Sequence, residues 1–373
     1  MLKILHFYKT YYPDSFGGIE QVIFQLCEGG ARRGIDSTVL SLSKRGSIIN
    51  KKIGSHSVYC SPINLELAST PFSFQALKDF KKLANQADII HYHFPFPFMD
   101  MVHFLSGIKK PTVVSYHSDI VKQKNMLKIY TPLMNGFLND VSHIVAASPN
   151  YVATSITLKK FVHKVSVIPY GLDEKSYPVP TLERLDCWKN KIGPRFFLFI
   201  GAFRYYKGLH ILIEAAKNST YPIVIVGAGP IESELKHQAE ELKIENIHFL
   251  GAVSDEDKAA LLTLCYAVVF PSHLRSEAFG ITLLEGAMYG KPLISSEIGT
   301  GTTFINIDQQ TGLVVPPSDY KALRVAMDNL WNNIELSAEF GRNSRARYLD
   351  YFVSEKMVSS YIDLYNNLIE NNT

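Results

Sequence analysis

Short apolar runs alternate with amphipathic segments throughout this 373-residue chain, and the pattern restarts once near its middle. This alternation is typical of βα units built on a parallel sheet. The predicted strands lie at residues 2–8, 37–43, 58–60, 88–93, 112–117, 143–148 and 165–169, and then at 196–202, 222–226, 246–250, 267–271, 292–295 and 312–315. We therefore expect two successive α/β sheets, each with ligand-binding loops at the carboxyl ends of its strands.

The middle of the chain, residues 173–194, contains three prolines and no clear periodicity. We interpret it as a linker between a first domain at residues 1–172 and a second at 195–353. Apolar side chains recur at mostly helical spacing in residues 354–371, which predicts a closing helix.

Charge is distributed unevenly between the two halves. Residues 1–170 hold 19 Lys and Arg against 10 Asp and Glu, whereas the rest of the chain holds 19 against 25. Basic and apolar residues mix in four stretches, at residues 72–82, 109–110, 122–128 and 159–164. These stretches predict a face that rests on anionic lipid, and ordinary solvated helix faces are the alternative. Nucleic acid is not expected, because no nucleic-acid motif accompanies the charge.

The four cysteines are scattered, without the Cys-x-x-Cys spacing of zinc or redox sites, which indicates a reducing compartment. The first eight residues lack the apolar core of a signal peptide. We expect a cytoplasmic protein, peripheral at the inner face of the membrane if the basic face binds lipid.

The strongest local signal occupies residues 272–290, directly after a predicted strand. Gly280 lets the backbone pass close to a ligand, and a helix beginning there points its first amides at an anion. Glu285 falls in the second turn, where a carboxylate can accept two adjacent hydroxyls, as on a ribose, and Glu277 lies on the loop before the helix. A capped core helix with two surface glutamates is the alternative.

Three weaker signals also follow predicted strands. Arg204 and Lys207 place two cations where they can clamp a pair of phosphates. Gly17 and Gly18 open a helix and allow close backbone approach to a phosphate or a sugar. His117 can hydrogen-bond a bound sugar or act in proton transfer. Their structural alternatives are a solvated basic loop, an ordinary strand-to-helix turn and a core histidine.

The spacing of Glu277 and Glu285 resembles the Glu-x7-Glu motif of retaining glycosyltransferases of family 4, which have the GT-B fold. Arg204 with Lys207, the glycine pair and the histidine fall where the other motifs of that family lie, and the strand order matches over essentially the whole chain. The resemblance implies an α/β fold of two Rossmann-like domains facing a cleft, with a last helix, residues 354–373, that crosses back to the first domain. One departure is Tyr170, since many members have Asn there.

The resemblance also implies roles by matching position. Glu285 would take the ribose hydroxyls, and Arg204 with Lys207 the diphosphate. Glu277 and His117 are the catalytic candidates, holding the transferred sugar and contacting it near the reacting carbon. The donor-binding candidates are Gly17, Gly18, Arg204, Lys207, Phe279, Gly280, Ile281, Thr282 and Glu285.

We therefore expect a retaining transferase that moves a hexose from a nucleotide-diphosphate donor, GDP-mannose first and a UDP-sugar next. The expected acceptor is a carbohydrate or lipid-linked oligosaccharide of surface-polysaccharide (lipopolysaccharide O-antigen) assembly. The resemblance favours front-face displacement, in which the departing phosphate helps to deprotonate the acceptor. A GT-B-fold sugar-nucleotide epimerase and a non-catalytic sugar-nucleotide-binding module are the alternatives.

No metal and no other cofactor is expected. Residues 255–257 match the Asp-x-Asp pattern that binds metal in other glycosyltransferases, but the pattern is better explained as a helix cap beginning at Ser254. His91 and His93 alternate along a strand without a third ligand nearby in sequence, so zinc is not expected. Residues 227–232 begin like a dinucleotide fingerprint but have Glu in place of the third Gly, which indicates a tight turn.

Overall fold

The computed structural model describes residues 1–15, 17–67, 70–120 and 124–371. The chain divides into two compact units. Unit 1 comprises Met1–Gly171 together with Ser354–Thr373, and unit 2 comprises Leu172–Val353.

Unit 1 contains, within its described residues, an eight-stranded sheet and a separate two-stranded hairpin. Its strands are β1 (Leu2–Phe7), β2 (Ile35–Ser43), β3 (Ile48–Ile53), β4 (His56–Pro62), β5 (Leu65–Leu67), β6 (Thr70–Phe72), β7 (Ile89–Phe94), β8 (Thr112–Tyr116), β9 (His143–Ala146) and β10 (Val165–Val167). The α-helices in its first segment, Met1–Gly171, are α1 (Gly18–Ala31), α2 (Phe74–Gln86), α3 (Pro97–Ser106), α4 (Lys124–Asp140) and α5 (Pro149–Thr154). The sheet has the order β10-β9-β8-β7-β1-β2-β4-β3.

Every strand predicted in the first half is present in unit 1, but β3 and the β5–β6 hairpin were not predicted. The β3 strand pairs antiparallel with β4 through a turn at Gly54, whose φ is +57°. A βα pattern predicts a helix between successive strands. The strands of a short hairpin have no helical segment between them, so the sequence pattern did not reveal these strands. The other neighbours in the sheet are parallel, which puts their carboxyl ends at one edge.

Unit 2 is a six-stranded, all-parallel sheet in the order β13-β12-β11-β14-β15-β16. Its strands are β11 (Phe197–Ile200), β12 (Ile223–Val226), β13 (Ile247–Gly251), β14 (Ala267–Phe270), β15 (Leu293–Ser296) and β16 (Gly312–Val315). Its helices are α6 (Leu182–Ile192), α7 (Leu209–Ala216), α8 (Glu232–Glu241), α9 (Asp255–Leu264), α10 (Ile281–Met288), α11 (Thr302–Ile305), α12 (Tyr320–Asn332) and α13 (Ile334–Tyr351). All six predicted strands of this half are present.

The stretch predicted as a linker contains helix α6, which packs on α9 within unit 2. The Thr181 hydroxyl accepts a hydrogen bond from the Arg184 amide at the start of this helix. The Trp188 indole and the Arg184 guanidinium both donate to Asp257 on α9. The helix was missed because it has a small buried face and its partners are remote in sequence.

The last helix, α14 (Ser354–Glu370), returns to unit 1 and packs against α1. Val358 on α14 lies so close to Gly29 that a Cβ at Gly29 would come within 2.5 Å of it. Tyr361 and Tyr365 of α14 cover His91 on β7. None of the helices in the described part of the chain combines the length and apolarity needed to cross a bilayer.

Candidate functional site

Two loops of unit 2 lie side by side because the strands before them are neighbours. The β11 strand pairs with β14, so residues 201–208 and 271–280 both leave the sheet at the same edge. Gly208 has a φ of +70°, and a Cβ there would lie 2.1 Å from the carbonyl oxygen of Pro271. The His273 amide donates to the carbonyl of Tyr206 at 3.0 Å. Glycine at 208 is therefore what allows the two loops to touch.

This contact brings together two of the candidate residues, Lys207 and Glu277, as an ion pair. Their side chains are only 13% and 11% exposed. Ser272 donates to the same Glu277 oxygen at 3.2 Å, and the Lys207 ammonium lies 4.7 Å from the ring centre of Phe270. Burial opposes the Lys207 cation, but the Glu277 carboxylate outweighs it, so the pKa of Lys207 is raised. The Glu277 side chain is thus bonded to both Lys207 and Ser272, and the raised pKa keeps Lys207 charged.

The second cation, Arg204, begins the short 3-10 helix Tyr205–Lys207. Its side chain is exposed and forms no ion pair with any residue that the structure describes. An incoming anion can therefore bind the Arg204 guanidinium without displacing a carboxylate, whereas Lys207 is already paired with Glu277.

Helix α10 begins at Gly280, which has a φ of +98°, and no side chain caps its first turn. Thr282 donates to the carbonyl of Ile200 at 2.9 Å, which ties the first turn to the end of β11. Phe279 is buried, and a Cβ at Gly301 would come within 2.5 Å of its ring. An uncapped helix start suits an anion.

Glu285 lies in the second turn of α10 and is buried. The Tyr177 hydroxyl and the Lys258 ammonium both donate to its Oε1 atom, each at 2.8 Å. Burial opposes the Lys258 cation, but Glu285 outweighs it, and the pKa of Lys258 is raised. No described residue donates to Oε2. One carboxylate oxygen is thus fixed and the other is left for a ligand.

Sequence reasoning missed Tyr177 and Lys258 as partners of Glu285. They are separated from it by 108 and 27 positions, and neither belongs to a recognisable motif. Lys258 follows an acidic cap, where it looks like a solvent-exposed lysine.

In unit 1, Gly17 precedes α1 with extended backbone and Gly18 is the first helical residue. The buried Glu20 carboxylate folds back over this turn, so that a Cβ at Gly17 would lie 2.4 Å from Oε2. Thr10 donates to Oε1 at 2.8 Å. A carboxylate already lies where an anion would approach, and this favours a sugar hydroxyl over a phosphate as the partner of these glycines.

His117, directly after β8, is buried, and both of its ring nitrogens are engaged. Nε2 pairs with Nδ1 of His93 at 3.0 Å, and Nδ1 pairs with the hydroxyl of Tyr170. Burial and then the Lys9 ammonium lower the pKa of His117 to about 3. The ring is neutral near pH 7, and a direct bond from it to a sugar requires one of these partners to give way.

Three other imidazoles, those of His6, His91 and His93, have ring nitrogens within 4.8 Å of one another. The neighbouring strand β1 supplies His6, a third histidine that local spacing did not reveal. The ring planes of His91 and His93 are stacked at 4.4 Å with 23° between them. Lone pairs lie in the ring planes, so a stack does not aim them at one shared ion. The cluster suits a hydrogen-bonded layer better than a metal site.

The acidic run at residues 255–257 forms the first turn of α9. The Ser254 hydroxyl accepts from the Asp257 amide at 3.1 Å, which confirms the predicted cap. The Asp257 carboxylate accepts hydrogen bonds from Arg184 and Trp188.

The turn at residues 227–232 has a structural reason for its glycine. A Cβ at Gly229 would lie 2.3 Å from the carbonyl oxygen of Phe203.

Comparison with known proteins places these features in a family. The family of Glycosyl transferases group 1 matches residues 186–347, and Glycosyltransferase Family 4 matches residues 16–176. The chain is 58% identical to D-rhamnosyltransferase WbpZ of Pseudomonas aeruginosa, over 95% of this chain and 93% of that protein. It is 53% identical to O-antigen chain mannosyltransferase C of Escherichia coli, over 99% of each. Sucrose-phosphate synthase from Thermosynechococcus elongatus shares the fold, with a TM-score of 0.82 at 19% identity and full coverage of both chains.

Proposed function

This chain belongs to glycosyltransferase family 4 and has the GT-B fold, and on that premise we propose that it transfers mannose from GDP-mannose to a lipid-linked oligosaccharide of O-antigen assembly. The single observation that carries the proposal is one edge of the unit 2 sheet, where the loop with Arg204 and Lys207 touches the loop with Glu277, which leads into the uncapped start of α10. Full-length similarity to an O-antigen mannosyltransferase and to a D-rhamnosyltransferase supports the sugar class.

In the proposed reaction Arg204, Lys207 and the first amides of α10 hold the diphosphate. Charge grows on the leaving phosphate as the bond from C1 of the sugar to phosphate oxygen breaks, and fixed positive groups stabilise that charge. The acceptor oxygen forms its bond to C1 on the same face, and its proton passes to the departing phosphate. The open Oε2 of Glu285 takes the ribose hydroxyls, and Glu277 takes the transferred sugar. We assign His117 a contact to that sugar by its match to the family motif. No metal is required, since the cations neutralise the diphosphate.

GDP-D-rhamnose is a specific alternative to GDP-mannose as the donor. D-Rhamnose is mannose without its 6-hydroxyl, and the relatives at 58% and 53% identity are named for these two sugars. Measuring transfer from GDP-mannose, GDP-D-rhamnose and UDP-glucose side by side decides among them. The proposal expects turnover with GDP-mannose; turnover with the UDP-sugar alone contradicts it.

Variants test the assigned residues. Glu285→Ala is expected to weaken GDP binding, measured by calorimetry, because the ribose contact is lost, whereas His117→Ala is expected chiefly to lower kcat. Glu234→Ala, an exposed residue of α8, is the matched control and is expected to change neither. Unchanged binding in the first variant and unchanged turnover in the second would contradict the roles.

An epimerase of the same fold is distinguished by its need for an acceptor. The proposal expects GDP release from GDP-mannose to depend on added lipid-linked oligosaccharide. Release or sugar isomerisation without any acceptor would favour the epimerase.

We also propose that unit 1 rests on anionic lipid at the inner face of the membrane. Phe74 at the start of α2 is 84% exposed, and Lys78, Lys81 and Lys82 follow on the same helix with exposed side chains. On α4, Ile129 is 83% exposed beside Lys128. Of the basic stretch at residues 122–128, positions 122 and 123 lie outside the described residues.

Vesicle sedimentation tests the lipid proposal. Binding to phosphatidylglycerol vesicles is expected at low salt and is expected to fall at high salt, because screening weakens surface charge interactions. Phe74→Ser is expected to reduce binding, and Val325→Ser, which alters a 67% exposed residue of unit 2, is the control. Absence of binding to anionic vesicles at low salt overturns the proposal.

A further inference from the structure

Four buried side chains of unit 1 form one continuous line of hydrogen bonds. Nδ1 of His6 on β1 pairs with Nε2 of His93 on β7 at 3.1 Å, and Nδ1 of His93 pairs with Nε2 of His117 at 3.0 Å. Nδ1 of His117 pairs with the hydroxyl of Tyr170, the fourth member of the line. The four residues are between 0% and 6% exposed. We call this line the histidine relay.

The three imidazoles of the histidine relay are neutral near pH 7. Burial is the largest cause in each ring, and it lowers the pKa of His6 and of His117 to about 3 and that of His93 well below its ordinary value. A neutral imidazole carries one N–H and one lone pair, and each hydrogen bond needs one of each.

The tautomers of the three rings are therefore tied together. Both links between histidines join an Nδ1 to an Nε2. If Tyr170 donates to His117, each ring must carry its proton on Nε2; if Tyr170 accepts, each must carry it on Nδ1. A mixed arrangement would leave two lone pairs or two N–H groups facing each other in a buried site, which is costly.

We propose that Tyr170 and His93 are positioning residues that fix the tautomer and orientation of His117 before the sugar binds, His117 being the ring that the proposed function assigns to the transferred sugar. The inference rests on that function only for its kinetic consequence. A tyrosine hydroxyl can act as either donor or acceptor, whereas each neutral imidazole nitrogen of the relay can act only as one or the other. The role of Tyr170 is thus to set the sense of the whole relay.

A second set of hydrogen bonds on the same sheet supplies a matched control. His91 pairs with Tyr365 and with Ser115, each at 2.7 Å, and Ser115 pairs with Tyr361 at 2.6 Å. The described hydrogen bonds do not connect these residues to His117. Tyr361→Phe removes a buried hydroxyl as Tyr170→Phe does, but leaves the histidine relay whole.

The first test reads the tautomers directly. In full-length protein with 15N-labelled histidine, long-range proton–nitrogen spectra are expected to show one shared tautomer for His6, His93 and His117. Tyr170→Phe is expected to shift the Nδ1 resonance of His117, and Tyr361→Phe is expected to leave it in place. Mixed tautomers in the wild-type protein, or an unmoved Nδ1 resonance in Tyr170→Phe, overturns the inference.

The second test is kinetic. Tyr170→Phe is expected to lower kcat roughly tenfold, taking as a guide the low end of the loss seen when a hydrogen-bond partner that orients a metal-bound histidine is removed. KM for the donor is expected to change less than about twofold, because only the reacting geometry is affected. Tyr361→Phe is expected to keep its kcat.

The two tests separate failure of the inference from failure of the proposed function. If His117→Ala keeps full turnover, the proposed role of His117 is wrong, and the spectra still decide whether the relay exists. If His117→Ala loses turnover while Tyr170→Phe keeps it, the positioning role of Tyr170 is overturned.

Discussion

Replacing Lys207 with Met should destabilise unit 2 while removing little apolar contact. Methionine keeps an unbranched apolar stem but leaves the Glu277 carboxylate without its cation. Removing one partner of a buried ion pair costs about 3–5 kcal/mol. Both side chains are still about a tenth exposed, so we expect a loss of unfolding free energy at the lower end of this range, ~3 kcal/mol.

The assay is urea unfolding followed by tryptophan fluorescence. The chain has two tryptophans, Trp188 and Trp331, and both lie in unit 2, so the signal reports that unit. With a slope of roughly 2 kcal/mol per molar urea, a loss of ~3 kcal/mol lowers the midpoint by ~1.5 M.

A second variant isolates the pair itself. Combining Lys207→Met with Glu277→Gln removes both charges, so we expect the double variant to be more stable than the sum of the single losses by about 2 kcal/mol. Lys236→Met, which breaks an exposed pair with Glu232 on α8, is the control and should cost less than about 1 kcal/mol. Strict additivity, or a loss below ~1 kcal/mol for Lys207→Met, refutes the reasoning.

Three other outcomes are expected. Gly208→Ala should lower the urea midpoint of unit 2 far more than Gly251→Ala, because both have φ near +70° but only the first meets a backbone oxygen; equal losses contradict the close-approach argument. Excess EDTA should leave the transfer rate unchanged, and loss with rescue by Mg²⁺ or Mn²⁺ contradicts metal-independence. In the folded protein His6 and His117 each have a pKa of about 3. Below pH 6.5 the same histidines bind protons in the unfolded chain but not in the folded one. The free energy of unfolding of unit 1 should therefore fall by up to about 1.4 kcal/mol per histidine for each pH unit as the pH falls toward 3. Hydrogen exchange should show β1, which carries His6, and β8, which precedes His117, losing protection more steeply than the strands of unit 2. Equal slopes refute the conclusion that these histidines are neutral in the folded protein.

Most strands of the two sheets could be predicted because they are short apolar runs, and strands such as β7, β8 and β11 are buried along their whole length. The β3 strand was not predicted, since it belongs to a hairpin and not to a βα unit. The helix after Thr181 could not be predicted, since its support comes from Asp257, a residue 76 positions further along the chain. Local periodicity reports a helix only when the helix has a wide apolar stripe, and α6 buries Ile192 alone.

The candidate residues were located by motif, but their partners were not. The spacing of Glu277 and Glu285 is visible in the sequence, and so is the Arg-x-x-Lys pair. That Lys207 is bound to Glu277, and that Lys258 holds Glu285, follows from the pairing of β11 with β14 and the packing of α9, which a single sequence does not encode locally.

For His117, the sequence predicted a ligand contact but not the hydrogen bonds that the ring makes within the protein. Its position at a strand end suggests a ligand contact, yet the ring is tied on both sides by neighbours. The two residues that tie it, His93 and Tyr170, are 24 and 53 positions away and carry no motif. Only the order of strands in the sheet places them together.

The return of α14 to unit 1 has a consequence during synthesis. A ribosome completes all of unit 2 before this helix emerges, so the histidine-bearing side of the first sheet lacks the cover of Tyr361 and Tyr365 until unit 2 has been synthesised. The half of the protein made first is thus the half that finishes folding last, and a premature stop codon near residue 354 would harm the amino-terminal half.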